Sequence, residues 1–461
     1  MKTRSIMVTY LILFSIISSY AQESPLKKEL SQEEKIFGLS LIWKEASYNF
    51  AHFEQVPELD WDQAYQKYIP EVLSAESTVE YYNVLIRFCA LLRDGHTRIF
   101  PPEEYRDYHD EPKVRIINIQ KQAIVTDVGE SLRDMIPSGS RIMKVSGAPI
   151  DDYLINNKFP YISGSTEDIL WEVGILTLLK GKKGTKVDIT CLTPVGETKD
   201  IELVRNSTDV KENWVKAKDK KRQGFEFKQL DDGIAYVALN TFSDSEIIDD
   251  FKGILPELRK SKGLIIDLRK NGGGESDIGY AVLQHLIEKP VLTFKWKTRE
   301  HRASYKAWGK WTSEFPPEEL ETISEERKEY LRHYKGTAWY EGASDTIFPS
   351  DETKVIIPMV VLIGKLTASA AEDYLVAVDS VKRAVFVGEK TAGFTGTPLI
   401  FDLPGGGFAL INTSQEMYPD GRAMRYGIRP DIEVKPTVRD IIEGKDPVLE
   451  RGIAILDEQV R

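Results

Sequence analysis

The chain has 461 residues, a length that predicts two to four domains rather than one. Hydrophobic residues make up 41% and charged residues 29%, the composition of a soluble globular protein. The net charge of −11 argues against nucleic acid or an anionic membrane surface as the main partner.

The N-terminus has the pattern of a secretory signal. Lys2 and Arg4 precede a nearly continuous apolar run over residues 6–17, and Ser19 and Ala21 supply the small side chains that a signal peptidase reads. We predict a signal peptide over residues 1–21 and an exported protein, periplasmic or secreted, that meets a membrane only through this cleaved segment. An uncleaved anchor is the alternative, although the run is short for a membrane span.

Three segments of different character follow the signal. Residues 25–108 are predicted to form a helical domain, because their apolar residues recur at helical spacing. Residues 110–206 contain short alternating strands separated by glycine turns, which predicts a small β-rich domain. The polar, lysine-rich segment 207–223 is predicted to be a solvated linker.

The chain has two cysteines, Cys89 in a helical pattern and Cys191 in a strand-like alternation. Both are interpreted as core residues, with a disulfide between them as the alternative for an exported protein. Their spacing to other ligating residues does not match a zinc site, so no metal is expected.

From residue 224 to residue 436, predicted strands alternate with helices. The strands are predicted at residues 234–239, 264–268, 355–363 and 384–387. Continuous apolar strands that alternate with helices imply a parallel sheet, whose functional groups gather beyond the carboxyl ends of the strands. Residues 295–352 interrupt this domain as a polar and aromatic insertion with a helix predicted over 317–333, and a C-terminal helix is predicted over 437–461.

Ser369 lies where a strand-like apolar run gives way to a helical pattern. A serine at such a turn meets free backbone N–H groups and the positive end of a helix dipole, an environment suited to acyl transfer. Ser369 and Glu372 also fit a capping box, which explains the pair without catalysis.

The run Asn271-Gly272-Gly273-Gly274 follows a predicted strand and precedes a helix. Glycines there let backbone N–H groups approach a ligand closely, as a phosphate loop or an oxyanion hole requires. The Gly-Lys-Ser/Thr of a phosphate loop is absent, so an oxyanion hole or a plain tight turn remains.

A serine nucleophile needs a base, and His96 is the best placed of the six histidines. It follows a glycine at the predicted end of a helix, where a side chain projects from a loop. The other five fall in aromatic or acidic loops, in a helix on the sheet, or in the insertion. An ordinary surface or core histidine is the alternative for any of them.

Five segments occur in an order that resembles a known family. They are Asp94-Gly95-His96-Thr97 and the segments 266–274, 367–372, 388–393 and 427–432. Over roughly residues 36–436 the chain resembles the serine peptidase family of tail-specific (carboxyl-terminal processing) proteases and the tricorn protease core. The resemblance implies a multidomain α/β fold: an N-terminal helical cap, a PDZ-like domain over 110–206 and a crotonase-like (ClpP-like) α/β spiral.

The resemblance also implies roles for particular residues. Ser369 matches the nucleophile, and the backbone N–H groups of Gly273 and Ala370 match the oxyanion hole. The tail-specific branch carries its base in Thr-Phe-Gly-Lys, but residues 391–394 read Thr-Ala-Gly-Phe and lack the lysine. The tricorn-like branch uses a histidine that matches His96, which becomes the predicted base, and Lys390, out of register, is the alternative.

Two departures from the tricorn-like pattern concern the group that orients the base. Gly95 stands where a serine precedes the histidine, and Met424 or Arg425 stands where a glutamate is expected. Glu416 is the candidate orienting group, with Asp420 and Glu372 as alternatives.

These features together predict an exported serine endopeptidase that acts on peptide or protein substrates without a cofactor. The PDZ-like domain would hold an extended peptide by strand addition. The alternative is a weak or inactive relative that binds peptides or hydrophobic ligands, as retinoid-binding repeats of similar fold do. A structural scaffold is the third candidate. The sequence does not indicate an oligomeric state.

Overall fold

The computed structural model describes residues 29–216 and 223–460. The predicted signal peptide and most of the lysine-rich run lie outside these residues. No helix in the described ranges is both long enough and apolar enough to cross a membrane. Cys89 and Cys191 are both buried free thiols, as expected of core residues.

Helices form most of the first region, as the sequence predicts. Its elements are α1 (Gln32–Asn49), α2 (Trp61–Ser74), α3 (Thr78–Ala90), β1 (Arg98–Phe100) and α4 (Glu103–Tyr108). Each of the first three helices begins at a capping side chain, Ser31, Asp60 and Ser77 in turn, that accepts a backbone N–H of the first turn. Their buried faces form one core with strands from the C-terminal part of the chain.

The second region is an antiparallel sheet with two helices. Its elements are β2 (His109–Asp110), β3 (Val114–Ile119), β4 (Gln122–Val128), β5 (Arg141–Val145), β6 (Ala148–Pro149), α5 (Ile150–Asn157), α6 (Glu167–Leu176), β7 (Gly181–Lys182), β8 (Lys186–Leu192) and β9 (Thr198–Val204). The main sheet runs in the order β3-β4-β5-β8-β9. The segment after β9 is not freely solvated, because Glu212 accepts hydrogen bonds from the backbone and the hydroxyl of Ser131.

The third region begins the α/β sheet. Its elements are β10 (Phe225–Gln229), β11 (Ile234–Leu239), α7 (Glu246–Gly253), α8 (Leu255–Leu258), β12 (Gly263–Asp267), α9 (Ser276–Leu283) and β13 (Val291–Leu292).

The insertion follows as β14 (Lys295–Arg299), α10 (Ala303–Thr312), α11 (Pro317–Leu320), α12 (Glu325–Lys335), β15 (Trp339–Gly342) and β16 (Thr346–Ile347). The prediction of one continuous helix over 317–333 is therefore wrong. Ser324 interrupts it, because its side chain accepts the Arg327 N–H and starts a new helix.

The last region completes the sheet and the frame around it. Its elements are β17 (Met359–Ile363), α13 (Ala370–Ser380), β18 (Val385–Gly388), β19 (Pro398–Leu403), β20 (Gly407–Asn412), β21 (Ser414–Met417), β22 (Ile432–Glu433), α14 (Val438–Glu443) and α15 (Pro447–Val460). The predicted third strand begins later than expected, at Met359, and the predicted C-terminal helix is two helices.

The central sheet has the order β10-β11-β12-β17-β18-β22, and every neighbouring pair except β10–β11 is parallel. Strand β17 is buried along its whole length, since helices α9 and α13 pack on one face and α15 on the other. The parallel sheet predicted from the sequence is thus confirmed. The carboxyl ends of β12 and β17 bring the glycine turn and the Ser369 turn to the same edge.

Candidate active site

Ser369 occupies a strained turn between β17 and α13. Its backbone has φ 56° and ψ −129°, a conformation that costs a non-glycine residue about 1–3 kcal/mol. Thr367 fixes the turn, because its hydroxyl donates to the Leu268 carbonyl (2.8 Å) and accepts the Gly364 N–H (3.0 Å). The turn therefore holds Ser369 at the start of α13, where the Ala370 N–H has no partner within the helix.

Asn271 ties the glycine turn to the Ser369 turn. Its side-chain amide donates to the Leu239 carbonyl (2.9 Å), and its backbone carbonyl accepts the Ala368 N–H (3.0 Å). Gly273, at φ 102°, packs so closely that a Cβ there would lie 2.6 Å from Cβ of Ser369. The turn beside Ser369 consequently requires a glycine.

The two predicted oxyanion donors differ in availability. The Gly273 N–H donates to Oδ1 of Asn271 at 2.9 Å, so it reaches a second acceptor only by sharing that bond or after a small peptide rotation. The Ala370 N–H points along the helix start with no such competitor in its own helix. Ala370 is the better prepared donor.

Glu372 lies beneath Ser369 and holds two loops together. Its carboxylate accepts the Ser369 N–H (3.2 Å), the Gly393 N–H (2.9 Å) and the Phe394 N–H (2.9 Å). The hydroxyl of Thr391 donates to it as well. Burial raises the pKa of Glu372 to about 7, against the opposing effect of these donors. Glu372 thus does more than cap α13, because it fixes the loop after β18 against the Ser369 turn.

His96 stands in the loop after α3, as predicted, and its loop packs against Phe394. The His96 N–H donates to Oδ1 of Asp94 (2.9 Å), and the centroids of the His96 and Phe394 rings are 6.4 Å apart. A Cβ on Gly95 would collide with the Phe394 ring. Contacts therefore connect the His96 loop to Phe394, Phe394 to Glu372, and Glu372 to Ser369.

No hydrogen bond joins His96 to the Ser369 hydroxyl within the described residues, and Nδ1 of His96 is buried there without a partner. Burial lowers the pKa of His96. Asp94 and the backbone carbonyls of Thr395 and Gly396 act in the opposite direction, and Arg98 adds to the lowering. The imidazole is therefore mainly neutral near pH 7, the form that a general base needs.

A buried charge cluster lies behind His96. Asp94 contacts the guanidinium of Arg425, accepts from the Asn412 amide (3.2 Å) and lies 4.0 Å from Nε2 of His52. Burial lowers the pKa of His52 to about 4, so the arginine supplies the main positive charge. Arg425, one of the two residues found where a glutamate is expected, thus neutralises Asp94. Sequence reasoning missed this cluster, although the arginine at that position was its one signal.

The other three candidate residues, Glu416, Asp420 and Lys390, have different surroundings. Glu416, on β21, is buried and accepts the Gly396 N–H at 2.7 Å, and no bond from it to His96 is seen in the described ranges. Burial and the nearby Asp373 raise the pKa of Glu416. Asp420 binds Arg422 at the surface. Lys390, the alternative base, forms an ion pair with Asp168 at 2.6 Å.

A cleft of about 730 Å³ opens beside Ser369. One wall is apolar and includes two side chains of α6 from the antiparallel sheet region; it is formed by Ile169, Val173, Leu366, Ala368, Ala392 and Phe394. Polar and charged side chains line the rest together with the glycine turn; they include the basic Arg98, Lys270 and Lys365, the neutral Asn240 and Ser243, and the acidic Asp244. The cleft is therefore bordered by the helical region, the antiparallel sheet region and the α/β sheet region.

The comparison with known families agrees with this arrangement. The family model "Peptidase family S41" matches residues 233–434, which include the Ser369 turn and the glycine turn. Residues 233–434 thus match peptidase family S41. The chain is accordingly a serine-type peptidase, and the resemblance noted from the five motifs is confirmed.

Relatives and solved structures extend the likeness to nearly the whole chain. The carboxyl-terminal-processing protease of Picosynechococcus is 23% identical over 417 residues, which cover 89% of this chain and 86% of the relative. That of Synechocystis is 22% identical and covers 95% and 89%. The crystal structure of mature CPAF has a TM-score of 0.66 at 17% identity, covers 93% of this chain and 96% of its own, and supports the mixed α/β multidomain fold.

Proposed function

We propose that this peptidase is an exported endopeptidase that cleaves peptide bonds through an acyl-enzyme on Ser369, with His96 as the general base. Residues 110–206 would act as a PDZ-like domain and residues 224–436 as the crotonase-like catalytic spiral. Lys2, Arg4, the apolar run and the small residues over 1–21 support export.

One observation carries the proposal: the strained Ser369 turn, built against Gly273 and the start of α13. A φ of 56° is costly for serine and persists only where the surroundings enforce it. The effect of this strain is to present a hydroxyl beside the N–H of Ala370 at the positive end of a helix. Such an environment stabilises the negative charge that develops on a carbonyl oxygen during acyl transfer.

The proposed reaction uses Ser369, His96 and the backbone N–H groups of Ala370 and Gly273. His96 takes the proton of the Ser369 hydroxyl as its oxygen attacks the substrate carbonyl, and the oxyanion accepts hydrogen bonds from Ala370 and then Gly273. The imidazolium gives its proton to the leaving amine, and water hydrolyses the acyl-enzyme by the reverse sequence. Catalytic hydrogen bonds are often formed only when substrate is bound, so His96 would close on Ser369 in that complex.

The cleft supports an extended peptide as the substrate. Helix α6 contributes Ile169 and Val173 to the apolar wall, and these pack with Ala368, one residue before the nucleophile. A peptide that pairs as an extra strand with the antiparallel sheet of the region containing α6 would lie beside this apolar wall. We therefore propose that the substrate places an apolar side chain against α6 next to the cleaved bond.

A fluorophosphonate probe, which reacts with activated serine hydroxyls, tests the proposal. Wild type should be labelled and should digest a peptide library, and Ser369→Ala should do neither. His96→Ala should lose most of both activities while it keeps the wild-type fold by circular dichroism. Ser380→Ala is the matched control, because Ser380 is exposed at the other end of α13 and should be labelled like wild type.

A ligand-binding protein without turnover is the second candidate. Two observations favour it: the Gly273 N–H is already used by Asn271, and Nδ1 of His96 has no partner in the described residues. Folded protein that resists the probe and leaves every peptide intact would support this candidate and refute the endopeptidase.

A further inference from the structure

Three metal-ligating side chains meet in the insertion, outside the cleft. Glu300 directly follows β14, and Glu329 and His333 are four residues apart on α12, so they share one face of that helix. One ligating atom of each lies within 4.8 Å of the other two. The cluster therefore joins the end of β14 to α12.

His333 supplies a second observation. Its side chain is 1% exposed, and neither ring nitrogen has a hydrogen-bond partner in the described residues. Nε2 lies 3.2 Å from Oε1 of Glu329, within ion-pair distance but without hydrogen-bond geometry. A buried polar group without a partner calls for an explanation, and a bound ion is one of the few available.

Two arginines orient the carboxylates from outside. Arg302 donates to Oε1 of Glu300 at 2.9 Å, and Arg332 donates to Oε2 of Glu329 at 2.7 Å. Oε1 of Glu329 is thereby directed to His333. Ligating carboxylates commonly have such outer partners, which hold them in place for the ion. The two positive charges also weaken attraction for a cation, so we expect a modest affinity.

We propose that Glu300, Glu329 and His333 bind a divalent transition-metal ion, zinc being the best match. One imidazole and two carboxylates suit zinc and its neighbours, whereas calcium and magnesium prefer oxygen ligands alone. Ligand atoms around a tetrahedral zinc lie about 3.3 Å apart, so the two partly exposed glutamates need only small rotations. Water would fill the fourth position.

The site would have a structural role. None of its three ligands lines the cleft beside Ser369. Strand β14 pairs with β21, and Trp296 of β14 is opposite Glu416. An ion that ties Glu300 to α12 would therefore stiffen the insertion against the strand that carries Glu416.

Isothermal titration of the metal-stripped full chain with zinc chloride tests the site, with thermal unfolding measured in parallel. We expect one equivalent to bind and to raise the melting temperature. Glu329→Gln and Glu300→Gln should each weaken binding at least about tenfold. Glu325→Gln is the matched control, because Glu325 lies on the same helix, is exposed and is paired with Lys328, and it should bind zinc like wild type.

His333→Ala should abolish binding, and if this variant does not fold, the two glutamine variants decide. Absence of zinc binding by the wild type would overturn the proposal. Binding that survives both glutamine variants would overturn it as well, because the ion would then be elsewhere. Tighter binding of calcium than of zinc would refute the assignment to a transition metal.

Discussion

The glycine turn makes the sharpest prediction, because two adjacent glycines differ in what surrounds them. A Cβ at Gly273 would lie 2.6 Å from Cβ of Ser369 and 3.0 Å from the carbonyl oxygen of Ala368. A Cβ at Gly272 would have nothing within 4 Å. Gly273→Ala and Gly272→Ala therefore add the same methyl group one residue apart, with and without a collision at Ser369.

The size of the effect follows from these distances. Carbon atoms pack at about 3.5–4.0 Å, so Gly273→Ala must separate the two turns by about 1 Å. A displacement of about 1 Å at a reacting group costs on the order of 100-fold in rate. Because Gly273 has a positive φ, an alanine there would also lower the free energy of unfolding by roughly 1–2 kcal/mol. Gly272→Ala does not carry this cost.

The rate of fluorophosphonate labelling and denaturant unfolding measure the two consequences separately. Gly273→Ala should be labelled about 100-fold more slowly than wild type, and Gly272→Ala at close to the wild-type rate. Equal labelling of Gly273→Ala and wild type, in folded protein, would refute the claim that this contact positions Ser369.

Two further predictions concern protons. If His96 is the base, kcat/KM should fall only at acid pH, and the midpoint of this pH profile should lie below the ordinary histidine pKa because burial lowers the pKa of His96. Asp94→Asn should move the midpoint lower still, since Asp94 favours the imidazolium. A midpoint that rises in Asp94→Asn would contradict this electrostatic account. Burial raises the pKa of Glu416 above that of the unfolded chain, so folding favours its protonated form and stability falls as pH rises from the unfolded to the folded pKa. Glu416→Gln, measured by denaturation from pH 4.5 to pH 8, should gain stability over wild type as pH rises, and a constant difference would refute the shift.

The sheet and the position of the Ser369 turn could be predicted because they depend on local patterns. Strand β17 is an apolar run, and the small residues after it end the strand before α13 begins. The edge at which the glycine turn and Ser369 meet then follows from parallel topology. The prediction of one continuous helix over 317–333 was wrong because the capping side chain of Ser324 is a local signal that starts a new helix.

The surroundings of His96 could not be predicted, because they depend on contacts between distant segments. Nothing near Asp94 in the sequence indicates that Arg425 neutralises it. Likewise, Glu372 and Ser369 form a capping pattern that is complete in itself, and only the fold shows that the same carboxylate holds Gly393 and Phe394. A local motif can therefore carry a tertiary role that its spacing does not reveal.

Two departures from the family pattern, Gly95 and Phe394, are in contact in the structure. Phenylalanine stands where the tail-specific branch has a lysine, and its ring fills the space that a side chain at position 95 would need. Phe394 therefore requires a glycine at position 95, where the tricorn-like pattern has a serine. The apolar ring also shields His96 from water and contributes to the burial that lowers the pKa of that imidazole. The proposed role of His96 as the base thus depends on Phe394, which stands where the tail-specific pattern has a lysine.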